Sequence, residues 1–141
     1  MNVFIVENAE AGCGRLQSIL SDIPGITVIG HAADEADAIE RIDALLPDVV
    51  IHDPGLQSGA GIGVLEHTKK HHAEIKVIVF THYTDEFHVG RCKRAGADYF
   101  FDKSFQFTQL REVLWKWAYT DRIDNKFRSG NKFDALQMAE G

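Results

Sequence analysis

Cysteine is scarce in this 141-residue chain: Cys13 and Cys92 are too few for a disulfide framework and suit a reducing cytosol. Positive charge is also in deficit. Fifteen Lys and Arg stand against 21 Asp and Glu, a formal net charge of −6, which removes the general footprint of a phosphate-backbone binder. No apolar run approaches the length of a membrane span. The opening Met1-Asn2-Val3-Phe4-Ile5-Val6 lacks the basic start and long apolar stretch of a signal peptide. Internal repeats, low-complexity tracts and Gly/Ser linkers are missing too. What remains is an ordinary globular balance, 45% hydrophobic and 26% charged, in a length that fits one domain able to fold without disulfide or metal. The expectation is a cytoplasmic domain whose partners are neither nucleic acid nor membrane.

Short β-branched runs alternate with longer stretches of helical spacing. The runs are Val3–Val6, Ile26–Ile29, Val49–Ile51, Val77–Phe80 and Tyr99–Phe101. Between them, Leu16, Ile19, Leu20 and Ile23 recur at helical steps before Pro24-Gly25, and Ala38, Ile39, Ile42, Leu45 and Leu46 do so before Pro47. Further helices are expected over about Ile62–His72 and Asp85–Ala95, and around Phe107, Leu110, Val113, Leu114 and Trp117. The strand runs are nearly continuous in apolar residues, as for strands covered on both faces. Five such repeats predict an α/β fold with a parallel sheet and helices on both sides. Periodicity weakens past Tyr119, so residues 1–119 read as the domain and 120–141 as a tail with room for a short helix but no independent output domain.

An open parallel sheet places its site beyond the carboxyl ends of the strands. There the sequence sets Glu7 and Asn8 after the first run, Asp53 after the third, Thr81 after the fourth and Lys103 after the fifth. An aspartate in that pocket has the chemistry of a nucleophile toward a phosphoryl group, with a cation on hard oxygen ligands to neutralise the incoming charge. The lysine and threonine would hold the phosphoryl oxygens.

In these residues the chain resembles the receiver domains of two-component response regulators, from Met1 to about Trp117. The resemblance is carried by Phe4-Ile5-Val6-Glu7-Asn8, Pro47-Asp48-Val49-Val50-Ile51-His52-Asp53, Gly61, Val79-Phe80-Thr81 and Gly96-Ala97-Asp98-Tyr99-Phe100-Phe101-Asp102-Lys103. It implies a doubly wound, flavodoxin-like five-stranded sheet of order 2-1-3-4-5. By position, Asp53 matches the phospho-acceptor, and Glu7 and Asn8 match the acidic pair that organises Mg²⁺. Gly55 matches the residue whose carbonyl completes the metal site, Thr81 the switch hydroxyl, Phe100 the switch aromatic and Lys103 the site lysine. The implied function is phosphotransfer from a sensor histidine kinase or phosphotransfer protein, self-catalysed rather than a turnover activity. A change in the face of the fourth helix, fifth strand and fifth helix would follow, read by a downstream protein or a second copy.

Several positions depart from the family pattern. Asn8 offers an amide where the family has an acid, which lowers the expected Mg²⁺ affinity. Gln57 and Ser104 stand where the family usually has proline, and His82 where it has a small residue. Of these, Asn8 and Ser104 favour the alternative of a degenerate receiver that binds partners without phosphorylation; a fragment of a longer regulator also stays open. A haloacid dehalogenase-like phosphatase is rejected, because the second aspartate it needs two residues after the nucleophile is Gly55 here.

Other features have plainer readings. Phe100 reads equally well as core or as a switch. His67 and His71, four apart on one helix, read as an exposed polar face, with no carboxylate cluster to complete a metal set and His72 pointing elsewhere. His52 reads as a packed core histidine. Gly55, Gly59, Gly61 and Gly63 form a glycine-rich loop without the ending of a nucleotide-binding loop. Trp117 reads as core, whereas Trp115 or Tyr119, if exposed, would mark a partner face.

Overall fold

Along β1 (Asn2–Val6) the side chains alternate between the two faces of a sheet, and both directions are apolar: Val3 and Ile5 point one way, Phe4 and Val6 the other. β3 (Val49–His52) and β4 (Lys76–Thr81) repeat this, with Val49, Ile51, Ile78 and Phe80 on the first face and Val50, Val77 and Val79 on the second. A strand apolar on both faces must be covered twice, and it is. α1 (Glu10–Ser21) brings Leu16 and Leu20, and α5 (Phe107–Arg128) brings Leu110 and Leu114, to the first face. The second face is covered by Ala38 and Ile42 of α2 (Glu35–Leu45), Val64 and Leu65 of α3 (Gly61–His71) and Cys92 of α4 (Glu86–Arg94). The computed structural model describes residues 1–8, 10–55 and 61–128 of the chain. Gln57 and Gly59 of the loop after Asp53 lie outside the described residues.

With β2 (Thr27–Ala32) and β5 (Tyr99–Asp102), the sheet is five-stranded and parallel throughout, in the order β2-β1-β3-β4-β5. This is the doubly wound order that the resemblance implied. The edge strands depart from the expectation of two covered faces. β2 is mostly half-exposed, and β5 exposes Tyr99 while burying Phe101. β2 also runs on through Gly30-His31-Ala32, because its pairing with β1, not its apolar run, sets its length.

The helix ends follow local chemistry. Asp34 caps α2 by accepting from the Asp37 N–H at 2.8 Å, and Leu46 closes it in the left-handed region just before Pro47. Asp85 caps α4 in the same way, accepting from the His88 N–H at 3.1 Å. After α4 the chain reverses at Gly96, whose φ of +98° is unfavourable for any side chain; a Cβ there would also meet Lys69 Cγ at 3.2 Å. α5 continues to Arg128, past the point at 120 where weakening periodicity led us to expect a tail. Apolar residues thin there to Ile123 and Phe127, and mostly polar residues extend a helix already anchored by Leu110 and Leu114, so the weaker stripe did not mark its end.

Candidate functional site

The site forms where the central strands stop. The Glu7 N–H donates to Ala32 O and the Asp53 N–H to Val6 O, each at 3.0 Å, so the ladder carries both residues one step past their strands. On the other side of the pocket the Lys103 N–H donates to Thr81 O at 2.9 Å. Three chain segments distant in sequence are thus fixed by backbone bonds before any side chain acts. Lys103 Nζ donates to Asp53 Oδ2 at 2.8 Å and also to Glu7 Oε2. The three side chains are only 13% (Lys103), 6% (Glu7) and 14% (Asp53) exposed. Burial alone would push the Lys103 ammonium toward its neutral form. Hydrogen bonds and charge attraction from Asp53 and Glu7 outweigh it, leaving the pKa above the usual lysine value.

The second oxygen of Asp53 is held as well. Gly55 N–H donates to Asp53 Oδ1 at 3.0 Å, and Gly55 takes a φ of +63° that glycine adopts without strain. One carboxylate oxygen therefore faces the loop and the other the ammonium. Asn8 is exposed at the rim. Thr81 is buried at the end of β4, its hydroxyl accepting from the Tyr83 N–H at 3.3 Å. Phe100 is half-buried and packs with the cluster on the α4 side of the sheet. His52, next to Asp53, is fully buried in the central strand.

The turn that aims Lys103 was not legible in the sequence. Asp102 N–H donates to Gln106 Oε1 at 2.7 Å, the Gln106 N–H donates back to Asp102 O at 2.8 Å, and the Ser104 N–H donates to Asp102 Oδ1 at 2.7 Å. That last bond requires the N–H that serine has and proline lacks. Among the described residues every peptide bond is trans, Lys103–Ser104 included. The Ser104 hydroxyl meets His82 Nδ1 at 2.8 Å, joining two of the departures from the family pattern into one contact across the pocket mouth. The signal for this pair was present only as two separate oddities.

Elsewhere, one expectation is corrected. His72 does not point away: its Nε2 lies 2.7 Å from Asp43 Oδ1, and His67 Nε2 lies 2.9 Å from the same oxygen. The carboxylate absent from the local sequence comes from α2. Cys13 and Cys92 are free and buried, and burial pushes both thiols up. Trp117 packs against the core, whereas Trp115 is 49% exposed and stacks on Tyr119. Among the described residues no helix is long and apolar enough to cross a membrane.

Comparison with known proteins agrees with this fold. Residues 3–114 match the family described as response regulator receiver domain. The response regulator protein VraR of Staphylococcus saprophyticus is 28% identical over 116 residues, covering 82% of this chain and 56% of that protein. The response regulator UvrY of Escherichia coli is 36% identical over 100 residues, covering 69% of this chain and 44% of its own. The chain thus spans about half the length of these curated relatives. Among solved structures, the response regulator domain of Thermotoga maritima CheB superposes with a TM-score of 0.71 at 27% identity, covering 85% of this chain and 94% of that one.

Proposed function

The chain belongs to the response regulator receiver domain family, a class of signalling module, and from that premise we propose that Asp53 is its phospho-acceptor. The donor would be a sensor histidine kinase or a phosphotransfer protein, and the reading rests on one observation above all. Asp53 stands at the end of the central strand with one oxygen on the Lys103 ammonium and the other on the Gly55 N–H. In the transfer, an Asp53 carboxylate oxygen forms a P–O bond while the P–N bond of the donor phosphoimidazole breaks, and the departing imidazole takes up a proton. Lys103 then follows the charge from the carboxylate to the phosphoryl oxygens. Thr81, at the end of the neighbouring strand, accepts from the Tyr83 N–H and so keeps its own hydroxyl proton to donate to the same group.

The donor set fits a hard divalent cation such as Mg²⁺: the carboxylates of Glu7 and Asp53, the amide oxygen of Asn8 and the carbonyl of Gly55 are all oxygen ligands. When bound, Mg²⁺ supplies charge neutralisation and orientation of the phosphoryl oxygens. Asn8 brings no charge, so Glu7 and Asp53 carry the electrostatic share of that site, and both are engaged by Lys103. Output would pass through α4, β5 and α5, to a downstream protein or a second copy. Support for this face comes from large exposed apolar residues on or beside it: Phe87 at 65%, Phe105 at 82% and Tyr99 at 42%.

The test is intact-mass spectrometry after incubation with a small phosphodonor and Mg²⁺. A single phosphoryl adduct, lost in Asp53→Asn and on removal of metal, supports the reading. No adduct from several donors, in folded protein, sinks it and favours a phosphorylation-independent interaction module. The uncharged Asn8 and the ammonium already bridging Glu7 and Asp53 are the features that favour that second reading.

A further inference from the structure

On the surface where α2 meets α3, Asp43, His67 and His72 converge, with one candidate ligand atom from each residue and all three atoms within 4.8 Å of one another. Asp43 Oδ1 lies 2.9 Å from His67 Nε2 and 2.7 Å from His72 Nε2; Asp43 Oδ2 lies 3.2 Å from His67 Nε2. The His71 ring packs on that of His67 with centroids 4.5 Å apart, placing a third imidazole beside the group. Asp43 is distant in sequence from the two histidines, yet each of the three is anchored. Asp43 follows Ile42, which is fully buried; His67 precedes Thr68, also fully buried. His72 is held by its own N–H, which donates to Thr68 O at 2.7 Å as α3 ends.

We propose that Asp43, His67 and His72 form a binding site for a borderline divalent transition-metal ion, Zn²⁺ foremost, separate from the strand-end pocket. Two imidazoles and one carboxylate are a donor set that Zn²⁺ takes readily, at bonds of about 2.0–2.2 Å. Ligands at that distance in a tetrahedral arrangement lie about 3.4 Å apart, so each histidine nitrogen would move only half an ångström or so further from Asp43 Oδ1, from 2.7 and 2.9 Å. Asp43 and His67 come from two packed helices, and His72 is the first residue past α3, tied back to that helix by its N–H on Thr68 O. The hydrogen bonds from His67 and then His72 keep the Asp43 carboxyl below its usual pKa, so it is ionised at neutral pH. Such an ion ties α2 to α3 on one face of the sheet. The Mg²⁺ ligands discussed above are all oxygen, and none is shared with this cluster.

The experiment is calorimetric titration of the untagged full chain with Zn²⁺ at neutral pH. Co²⁺ absorption serves as a geometry-sensitive second probe, and the histidine ring resonances are followed by NMR. The expected result is one equivalent bound, with the His67 and His72 resonances moving together. His67→Gln, His72→Gln and Asp43→Asn should each weaken binding by about tenfold or more, while Asp53→Asn leaves it unchanged. Circular dichroism of each variant separates lost ligation from lost folding, and the resonance shifts in the unaltered chain stand even if a variant fails to fold. Three outcomes overturn the proposal: no Zn²⁺ binding, binding that leaves both histidine resonances in place, or binding lost in Asp53→Asn but kept in folded His67→Gln.

Discussion

Replacing Lys103 by Met keeps the stem but removes the charge that Glu7 and Asp53 share. Removing one partner of a fully buried ion pair costs about 3–5 kcal/mol, because a charge is left stranded, while exposed pairs contribute about 0–1 kcal/mol. With the three side chains 6–14% exposed at a pocket mouth, the cost here falls between these limits, at about 2–3 kcal/mol. For a chain of this length that lowers Tm by about 6–10 °C. Asp53→Asn should cost less than about 1 kcal/mol, because Lys103 keeps Glu7 as partner. The double variant should then be more stable than Lys103→Met alone, since it removes one of two carboxylates that face each other without a cation. Urea unfolding in chelator-containing buffer, followed by circular dichroism, measures all three. If Lys103→Met is as stable as the unaltered chain, or if the two substitutions add, the shared-ammonium account is wrong.

The alkaline limb offers an independent check. Lys103 has a pKa raised in the fold, so its contribution is fully present below the unfolded lysine value of about 10.4 and is lost as pH rises through the folded value. The stability gap between the unaltered chain and Lys103→Met should therefore hold from neutral pH to about 10 and close above it, as read from denaturant midpoints. Gly96→Ala should lose about 1–2 kcal/mol by the same assay, because alanine must take a positive φ and its Cβ must displace Lys69 Cγ. An unchanged midpoint would mean that the turn after α4 relaxes freely.

The sheet was legible because its strands are apolar on both faces, which is where Val3 to Val6 and Val77 to Phe80 left no ambiguity. The strand-end residues were legible for a related reason: in a parallel sheet, the residue after each strand must lie at one edge, so Glu7, Asp53 and Lys103 meet whatever the helices do. Contacts that depend on helix phase were not. Asp43 is one charged residue among several on α2, and only the rotation of α2 against α3 brings it to His67 and His72. The same holds for His82 and Ser104, which lie on separate loops. The length of α5 was hard to read because Ile123 and Phe127 are the only apolar residues between 120 and 128, among Asp121, Arg122 and Lys126.

The arrangement of Lys103 also sets a rule of competition. An ammonium tethered beside two carboxylates is a resident ligand at an undiluted local concentration, so a cation that needed the oxygens it holds, Asp53 Oδ2 and Glu7 Oε2, would bind only the fraction of molecules in which the tether has swung away. Its apparent dissociation constant is the intrinsic one divided by that fraction. Because the turn from Asp102 to Gln106 limits where Lys103 can go, the stiffness of five residues on the far side of the pocket tunes how much external cation is needed to displace it.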